Sequence, residues 1–269
     1  MSSGYLELSY SQVGAAALLI LVNAAISLAL KLGLHRRLLV AALRTTVQLL
    51  LVGLVLDWVF GLSRWYVVLA LMAWMSGAAG VAAVRRTPMR YPGIWLDSIV
   101  SVWASSWIIA AAALFGIVDV EPWFRPQYAI PFLGMILGNA LNGVSLGLDR
   151  LGQELHTRRF EVEGLLALGG TRWEAARGPV RSAVRTGMIP IVNSMMIAGI
   201  VSLPGMMTGQ LLAGVEPVQA VRYQVVIMFL IASATALGTL GVVLLTYRRL
   251  FTASHHFLHG LLAERGGRD

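Results

Sequence analysis

Arg44 and Asp97 are ionisable residues that lie within long apolar segments of this 269-residue sequence. An ionised side chain in hydrocarbon costs about 2.5–3.5 kcal/mol on insertion scales, so each is a functional candidate by default. Arg44 lies roughly 9 Å along a helix from the nearer end of its segment, and Gln48 follows one turn later on the same face. We predict that Arg44, Gln48 and Asp97 lie along a substrate pathway and that Arg44 pairs with Asp97. The alternative for Arg44 is a side chain that reaches back to the lipid headgroups.

A stripe of polar residues runs along another apolar segment. Its members recur every three or four residues, which places them on one helical face: Asn139, Asn142, Ser145 and Asp149. Such a face contacts protein or water rather than lipid. We expect Asn139 and Asn142 to belong to the pathway; the alternative is a packing interface in which their amides are hydrogen-bonded between helices.

A third polar group surrounds a helix-breaking pair, Pro204 and Gly205. Proline removes a backbone donor and glycine permits unusual dihedral angles, so we predict a gate hinge at this pair. A broken helix at membrane depth is tolerated only where it lines a cavity or is buried in protein. The flanking residues able to bind a solute, which we assign to the pathway, are Asn193, Met196, Met206, Met207 and Gln210. Thioethers suit soft ions such as Cu(I), but methionines commonly serve as packing residues, so the sequence leaves a metal site open.

The composition indicates the kind of protein that positions these residues. Hydrophobic residues make up 57% of the sequence and charged residues 13%, with a mean hydropathy of +0.74. A soluble domain has about 25% charged residues, and a transmembrane helix needs roughly 20 mostly apolar residues. We therefore predict an all-α, polytopic integral membrane protein. About seven segments qualify as transmembrane helices: Ser11–Leu30, Leu38–Leu56, Trp65–Val84, Ile94–Val118, Ala129–Leu148, Gly187–Leu203 and Val221–Tyr247.

The basic residues are distributed unevenly between these segments. Of the 21 Lys and Arg residues, 17 follow the first, third, fifth and seventh segments. The positive-inside rule therefore predicts an N-terminus outside the cell and a C-terminus in the cytoplasm. This topology accounts for the net charge of +8, so we expect the lipid bilayer, and no nucleic acid, as a partner. We expect residues 1–269 to form a single transmembrane domain.

One long polar stretch, residues 149–185, falls on the predicted cytoplasmic side. Gly169 and the glycine after it are typical of a helix C-terminus, and Thr171 with Glu174 forms a capping box that starts another helix. We predict that this coupling segment docks on a cytoplasmic partner, with Trp173 as an anchor. The alternative is a connector that lies along the lipid headgroups.

The run from Glu163 to Ala175 resembles the cytoplasmic coupling motif of ABC transporter permeases, which fits into a cleft on the ATPase. The stretches Arg44–Gln48, Gly138–Asp149, Ala220–Gln224 and above all Leu203–Gln210 resemble the UPF0014 family of permeases. That family includes the bacterial iron-export permease FetB and plant aluminium-tolerance permeases. The ATPase-coupling residues that the resemblance implies are Glu161, Glu163, Gly169, Thr171, Trp173 and Glu174.

The energy source must lie on another subunit if transport is driven by ATP. A phosphate-binding P-loop needs Gly-x-x-x-x-Gly-Lys-Ser/Thr, and the only lysine, Lys31, is followed by Leu32. We expect a transport permease rather than an enzyme, with no catalytic residues and no cofactor of its own. The resemblance implies export of iron or another metal by two permeases and two ATPases in the inner membrane, with ATP and magnesium on the ATPases. The alternatives are an ion-coupled secondary transporter, an ABC permease for a non-metal solute such as a sugar nucleotide, and a non-transporting scaffold.

Overall fold

The protein is built almost entirely of α-helices, which confirms the predicted all-α class. The computed structural model describes residues 9–62, 64–118 and 120–264. Within these residues the helices are α1 (Tyr10–Ala29), α2 (His35–Leu62), α3 (Trp65–Arg85), α4 (Ile94–Ala111), α5 (Pro126–Thr157), α6 (Arg159–Ala167), α7 (Arg172–Ile197), α8 (Gly205–Leu212) and α9 (Pro217–Leu250). Helix α4 continues as a π-helix over Ala112–Ile117.

Six helices in the described part of the chain are long and apolar enough to cross a membrane, where the sequence predicted about seven spans. They are α1, α2, α3, α4 with its π-helix, α5 and α9. The predicted span Gly187–Leu203 is not among them, because its helical part belongs to the longer helix α7. Helix α7 begins at Arg172 and ends at Ile197, and the arginines in its first half make it too polar to qualify. The direction in which the spans cross the membrane stays a prediction.

Helices α5, α7 and α9 form the centre of the bundle. Gly143 of α5 lies against Thr235 of α9, and Gly147 lies against Thr239, so α5 and α9 run parallel. The chain must therefore return from the C-terminal end of α5 to the N-terminal end of α9. Helices α7 and α8 make this return, with residues 198–204 between them. The return of the chain through the bundle is thus divided between two helices.

The three central helices touch through small residues. A Cβ atom placed on Gly187 of α7 would lie 2.5 Å from Cγ2 of Thr239 and 2.7 Å from the carbonyl oxygen of Gly143. These distances leave no room for a side chain, so the backbones of α5 and α7 are in direct contact. Gly138, five residues earlier on α5, is different: a Cβ atom there would meet no neighbouring helix within 4 Å in the described residues.

We call the end of the bundle where α5 and α9 end, and where α4 and α7 begin, the basic end. The chain after α9 folds back over it. Strand β2 (Ala263–Glu264) pairs antiparallel with strand β1 (Met89–Arg90), which lies between α3 and α4. The backbone N–H of Arg172 donates to Nδ1 of His255 at 3.0 Å. The C-terminal segment therefore ties the α3–α4 connection to the start of α7.

Helices α1 and α2 form a hairpin at the edge of the bundle. Of their described side chains, only Ala24, Ser27 and Val59 are buried. The Ser27 hydroxyl accepts the backbone N–H of Leu34 at 3.0 Å and closes the turn between the two helices. The remaining surface is apolar and exposed, which suits contact with lipid tails.

We expect Gly187→Val to destabilise the protein, because the branched side chain would overlap Thr239 and the backbone of Gly143. Overpacking of a tight contact costs about 1–3 kcal/mol, which should lower the melting temperature in detergent by several degrees. Gly138→Val on α5 is the matched control and should melt like the wild type. Equal melting temperatures for the two variants would contradict the assigned contact.

Candidate functional site

The chain breaks between Ile197, where α7 ends, and Gly205, where α8 begins. A tight turn follows α7, in which the N–H of Gly199 donates to the carbonyl oxygen of Ser202 at 2.9 Å. Gly199 has a φ of +80°, a conformation that favours glycine. Pro204 then precedes α8 with an extended backbone. The chain breaks just before Gly205, as predicted, but α7 ends at Ile197 rather than at Leu203, because the glycine turn stops it early. The role of Pro204 and Gly205 as a gate hinge stays a prediction.

A cavity of about 440 Å³ lies beside this break, with walls from α5, α7, α8 and α9. The lining side chains that carry polar or sulfur atoms are Met135, Asn139, Ser194, Ser202, Met206, Gln224 and Met228. Two predicted pathway residues, Asn139 and Met206, are among them, and the predicted hinge residues Pro204 and Gly205 complete the wall. The described lining carries no charged side chain. The cavity therefore suits a solute held by hydrogen bonds and thioether contacts.

Gln224 is the most informative side chain in this wall. It is 8% exposed, and its Oε1 has no hydrogen-bond partner among the described residues. A buried polar group left unsatisfied costs about 1–3 kcal/mol, which a bound solute or water would offset. Sequence reasoning did not select Gln224 as a site residue. The available signal was that it is the one amide side chain within the predicted span Val221–Tyr247.

The other residues predicted near the break lie on different surfaces. Met207 lines a second cavity of about 380 Å³, which shares Gln224 with the first. Gln210 on α8 has a buried Oε1 that no described residue hydrogen-bonds. Asn193 and Met196 lie on the exposed side of α7 and line neither cavity. The break thus collects only part of the predicted pathway.

Arg44 and Gln48 lie on α2, away from the break. Arg44 is exposed and forms no ion pair or hydrogen bond with the part of the chain that the structure describes. Gln48 lines a separate, otherwise apolar cavity of about 710 Å³ between α2, α3 and α5. The expected pair of Arg44 with Asp97 is therefore not formed.

Asp97 instead belongs to a cluster at the basic end. It is buried, and Nε of Arg249, from the last turn of α9, donates to its Oδ2 at 2.5 Å. The Tyr91 hydroxyl donates to the same oxygen at 3.0 Å and contacts Oγ1 of Thr246 at 2.8 Å. Burial raises the pKa of Tyr91, so this hydroxyl stays a protonated donor. Gly93 makes room for the pair, because a Cβ atom there would lie 2.6 Å from the Arg249 guanidinium.

The polar stripe on α5 divides between the cavity and the basic end. Asn139 lines the cavity. Further along α5, Nη1 of Arg86 donates to Oδ1 of Asn142 at 2.6 Å, and Nε2 of Gln153 donates to Oδ2 of Asp149 at 3.2 Å. Asn142 thus does not line the cavity with Asn139, and its bond to Arg86, just after α3, fits the alternative of a hydrogen-bonded interface; the place of both residues in a pathway stays a prediction.

The coupling segment forms two helices separated by a glycine turn, as the sequence predicted. Helix α6 ends in a Schellman motif, in which Gly169 has a φ of +89° and the N–H of Gly170 donates to the carbonyl oxygen of Leu165 at 2.9 Å. Helix α7 starts with a capping box: the N–H of Glu174 donates to Oγ1 of Thr171 at 3.3 Å, and the N–H of Thr171 donates to Oε2 of Glu174 at 2.7 Å. Hydrogen bonds from the Thr171 backbone, and then from its hydroxyl, hold the pKa of Glu174 below its usual value.

Two acidic residues predicted for partner docking are already paired within the segment. Glu161 accepts from Arg158 at 2.8 Å, and Glu163 accepts from Arg159 at 2.8 Å. Both pairs are exposed or partly exposed, so each contributes little to stability and leaves the carboxylates accessible. A partner would have to replace these arginines to use either charge.

Large apolar side chains are the more available anchors on this segment. Phe160 is 83% exposed and Leu168 is 87% exposed, at the two ends of α6. Trp173 packs edge-on against the ring of Tyr247, with 5.6 Å between ring centroids, and remains partly exposed. Sequence reasoning selected Trp173 but missed Phe160 and Leu168. Their exposure depends on how α6 packs, which no local pattern reveals.

Comparison with known proteins places the chain among membrane proteins of one family. A model of UPF0014, described as an uncharacterised protein family, matches residues 10–251. The UPF0014 membrane protein slr1647 of Synechocystis sp. is 39% identical over 260 residues, which cover 96% of this chain and 100% of the relative. No solved structure gives a significant match.

Two relatives have names that refer to metals. The probable iron export permease protein FetB of Escherichia coli (strain K12) is 32% identical over 244 residues, which cover 90% of this chain and 92% of the relative. Protein ALUMINUM SENSITIVE 3 of Arabidopsis thaliana is 27% identical over 241 residues, which cover 90% of this chain and 87% of that protein.

The Asp97–Arg249 pair should be energetically coupled, and Asp97 and Arg44 should not be. We expect a double-mutant cycle of Asp97→Ala and Arg249→Ala to be non-additive by on the order of 1 kcal/mol, because removal of one partner leaves the other charge poorly solvated. The measurement is thermal unfolding in detergent. The matched cycle of Asp97→Ala with Arg44→Ala should be additive. Non-additivity in that second cycle would restore the pair expected from the sequence.

Proposed function

This chain belongs to the UPF0014 family of membrane proteins, and from that premise we propose that it is the permease subunit of an ABC transporter that exports iron or another metal. The name of the E. coli relative supports permease activity and iron as the substrate. The helices long enough to span a bilayer make the chain a multi-pass membrane protein. No catalytic role is indicated for it.

The observation that carries the proposal is the cavity beside the broken return of the chain. Transporters bind solutes where a discontinuous helix opens the backbone near the middle of the membrane. Here the break between α7 and α8 adjoins a cavity with Asn139, Ser194 and the unsatisfied Gln224 in its wall. We infer that the solute binds there and that Pro204 and Gly205 form the hinge that opens it.

The same break supports a permease homodimer. Ile200 and Val201, in the turn after α7, are 86% and 77% exposed. The first amides of α8 have no helical partners, and lipid supplies none. A second copy packed on this side would cover the turn and enclose the two cavities between permeases. The exposed surface of α1 and α2 would then face the lipid bilayer.

The coupling segment is the proposed docking surface for the ATPase subunit. Phe160 and Leu168 project apolar surface at the basic end, close in the chain to the capping box that starts α7. Apolar and aromatic anchors dominate the binding energy of such contacts. ATP and magnesium would be bound by the ATPase, and this chain would transmit its movement.

The chemistry of the cavity favours a second candidate function, an ABC permease for a non-metal solute. Amide, hydroxyl and thioether groups line it among the described residues. Carboxylates and imidazoles are the usual ligands of iron, whereas amides and hydroxyls hydrogen-bond well to hydroxylated solutes. Transport of radiolabelled iron and of a sugar nucleotide, measured in parallel in vesicles, separates the two functions.

We expect Gln224→Leu to leave the complex assembled but to reduce export at least about tenfold, because the solute loses a buried hydrogen-bond partner. Since the substitution replaces an unsatisfied amide with an apolar side chain of similar size, the melting temperature should not fall. The measurement is iron uptake into inside-out vesicles that contain the permease and its co-purified ATPase. The matched control is Gln48→Leu on α2, which should transport normally. Wild-type transport by Gln224→Leu would remove the cavity from the pathway.

The ATPase should dissociate more readily from Phe160→Ser and Leu168→Ser variants, by about tenfold each, because each change removes an exposed apolar anchor. Affinity capture of the ATPase from detergent extracts measures this. Leu34→Ser, an exposed leucine in the α1–α2 turn, is the matched control. Unchanged capture by both coupling variants would place the ATPase elsewhere.

A further inference from the structure

Three arginines of α7 form a continuous stripe near the basic end. Arg177, Arg181 and Arg185 recur every four residues, so consecutive members are neighbours on one helical face. All three are exposed, and none forms an ion pair or hydrogen bond within the described residues. We call them the arginine stripe. Like charges at this spacing destabilise a helix, so the stripe is a cost to the isolated chain.

A polar cavity of about 390 Å³ lies along the stripe. Its lining residues are Gly178, Arg181, Ser182, Arg185, Thr186 and Ile189. Gly178 lies beside Arg158, whose Nη1 is 3.5 Å from the Cβ position of the glycine, and the Thr186 hydroxyl has no hydrogen bond to any described residue. Two guanidinium groups and a free hydroxyl therefore face one opening of sufficient size for a small anion.

Glu154 is hydrogen-bonded to the wall of this cavity, but its negative charge is already neutralised by other arginines. Glu154 accepts from the Ser182 hydroxyl at 3.0 Å. It also pairs with Arg150 at 2.6 Å and with Arg158 at 3.5 Å. Glu154 thus fixes Ser182 at one edge of the cavity, but its charge is balanced by Arg150 and Arg158 and does not neutralise the arginine stripe. An excess positive charge remains at Arg181 and Arg185.

The position of Arg185 limits where its charge can be neutralised. The carbonyl oxygen of Ala183 is 3.7 Å from the Cβ position of Gly147 on α5, which is about 15 Å from the end of α5. Arg185 lies half a turn further from the basic end. A helical side chain points toward the N-terminus of its own helix, so Arg185 extends toward the basic end, where water and headgroups begin.

We propose that the arginine stripe, with Thr186, is a binding site for a phosphate-bearing anion. Planar guanidinium groups match the geometry of phosphate oxygens, and two arginines one turn apart can hold a single phosphate with charge-assisted hydrogen bonds. The phosphate is carried either by a lipid headgroup or by a soluble anion that enters the cavity. The site requires neither ATPase docking nor transport, so it stands independently of the function proposed above.

The test uses the full-length chain purified in detergent and then placed in lipid nanodiscs. Binding of inorganic pyrophosphate is measured by calorimetry at two salt concentrations, and retained phosphatidylglycerol is counted by native mass spectrometry. The variants are the double substitutions Arg181→Gln/Arg185→Gln and Arg181→Lys/Arg185→Lys. Arg222→Gln, an exposed arginine at the other end of the bundle, is the matched control. Melting temperatures verify that all variants are folded.

We expect the glutamine variant to lose about tenfold or more of the anion binding, and the lysine variant to retain more of it because the charges remain. Loss of salt-sensitive pyrophosphate binding assigns the site to a soluble anion. Loss of retained phosphatidylglycerol, in a protein that does not bind pyrophosphate, assigns it to a headgroup. The proposal is overturned if the folded glutamine variant keeps wild-type binding in both measurements, or if Arg222→Gln loses as much as the glutamine variant.

Discussion

The direct backbone contact of α5 and α7 at Gly143 and Gly187, sealed by Thr239 of α9, is the constraint on which the rest of the structure depends. A contact without intervening side chains fixes the position of α7 along the axes of its neighbours α5 and α9. Asn139 and Ile191 each lie one helical turn beyond it, on α5 and α7, and both line the cavity. A shift of α7 by one turn would therefore move Ile191 out of the cavity wall. Small residues are needed at the contact because a larger side chain would push α7 out of this position.

The parallel arrangement of α5 and α9 explains why the chain must break. A chain that leaves α5 at the basic end has to reach the other end before α9 begins, and α7 stops short of that distance at Ile197. The glycine turn and α8 complete the passage. The break places polar backbone beside Gln224, whose side-chain oxygen is itself unsatisfied within the described chain. The first backbone amides of α8 and the Gln224 oxygen therefore lie close together without hydrogen-bond partners among the described residues, and a solute that binds there can supply them.

Features set by adjacent residues could be predicted from the sequence, and features set by packing could not. The capping box at Thr171 and the helix break at Pro204 depend on local backbone chemistry, and the structure has both. The partner of Asp97 was missed because Arg249 lies 152 positions away in the sequence. The sequence analysis counted Arg249 only among the basic residues that indicate the membrane topology. The predicted span Gly187–Leu203 covers only the second part of α7 and the turn after it, because hydropathy marks where a segment becomes apolar, whereas the capping box sets where the helix begins.

One continuous helix connects the proposed docking surface to the proposed solute site. Helix α7 starts at the capping box within the coupling segment and ends at the cavity, a length of about 39 Å. Its hydrogen-bond ladder is interrupted at Pro179 and again at Pro190, which have no N–H to give to the carbonyl oxygens of Ala175 and Thr186. The second interruption falls just before Ile191 and Ser194, the α7 residues of the cavity wall. A force applied at the coupling segment would therefore be carried along α7 through two points where the helix can bend, and the bend at Pro190 would convert that movement into a change in the width of the cavity.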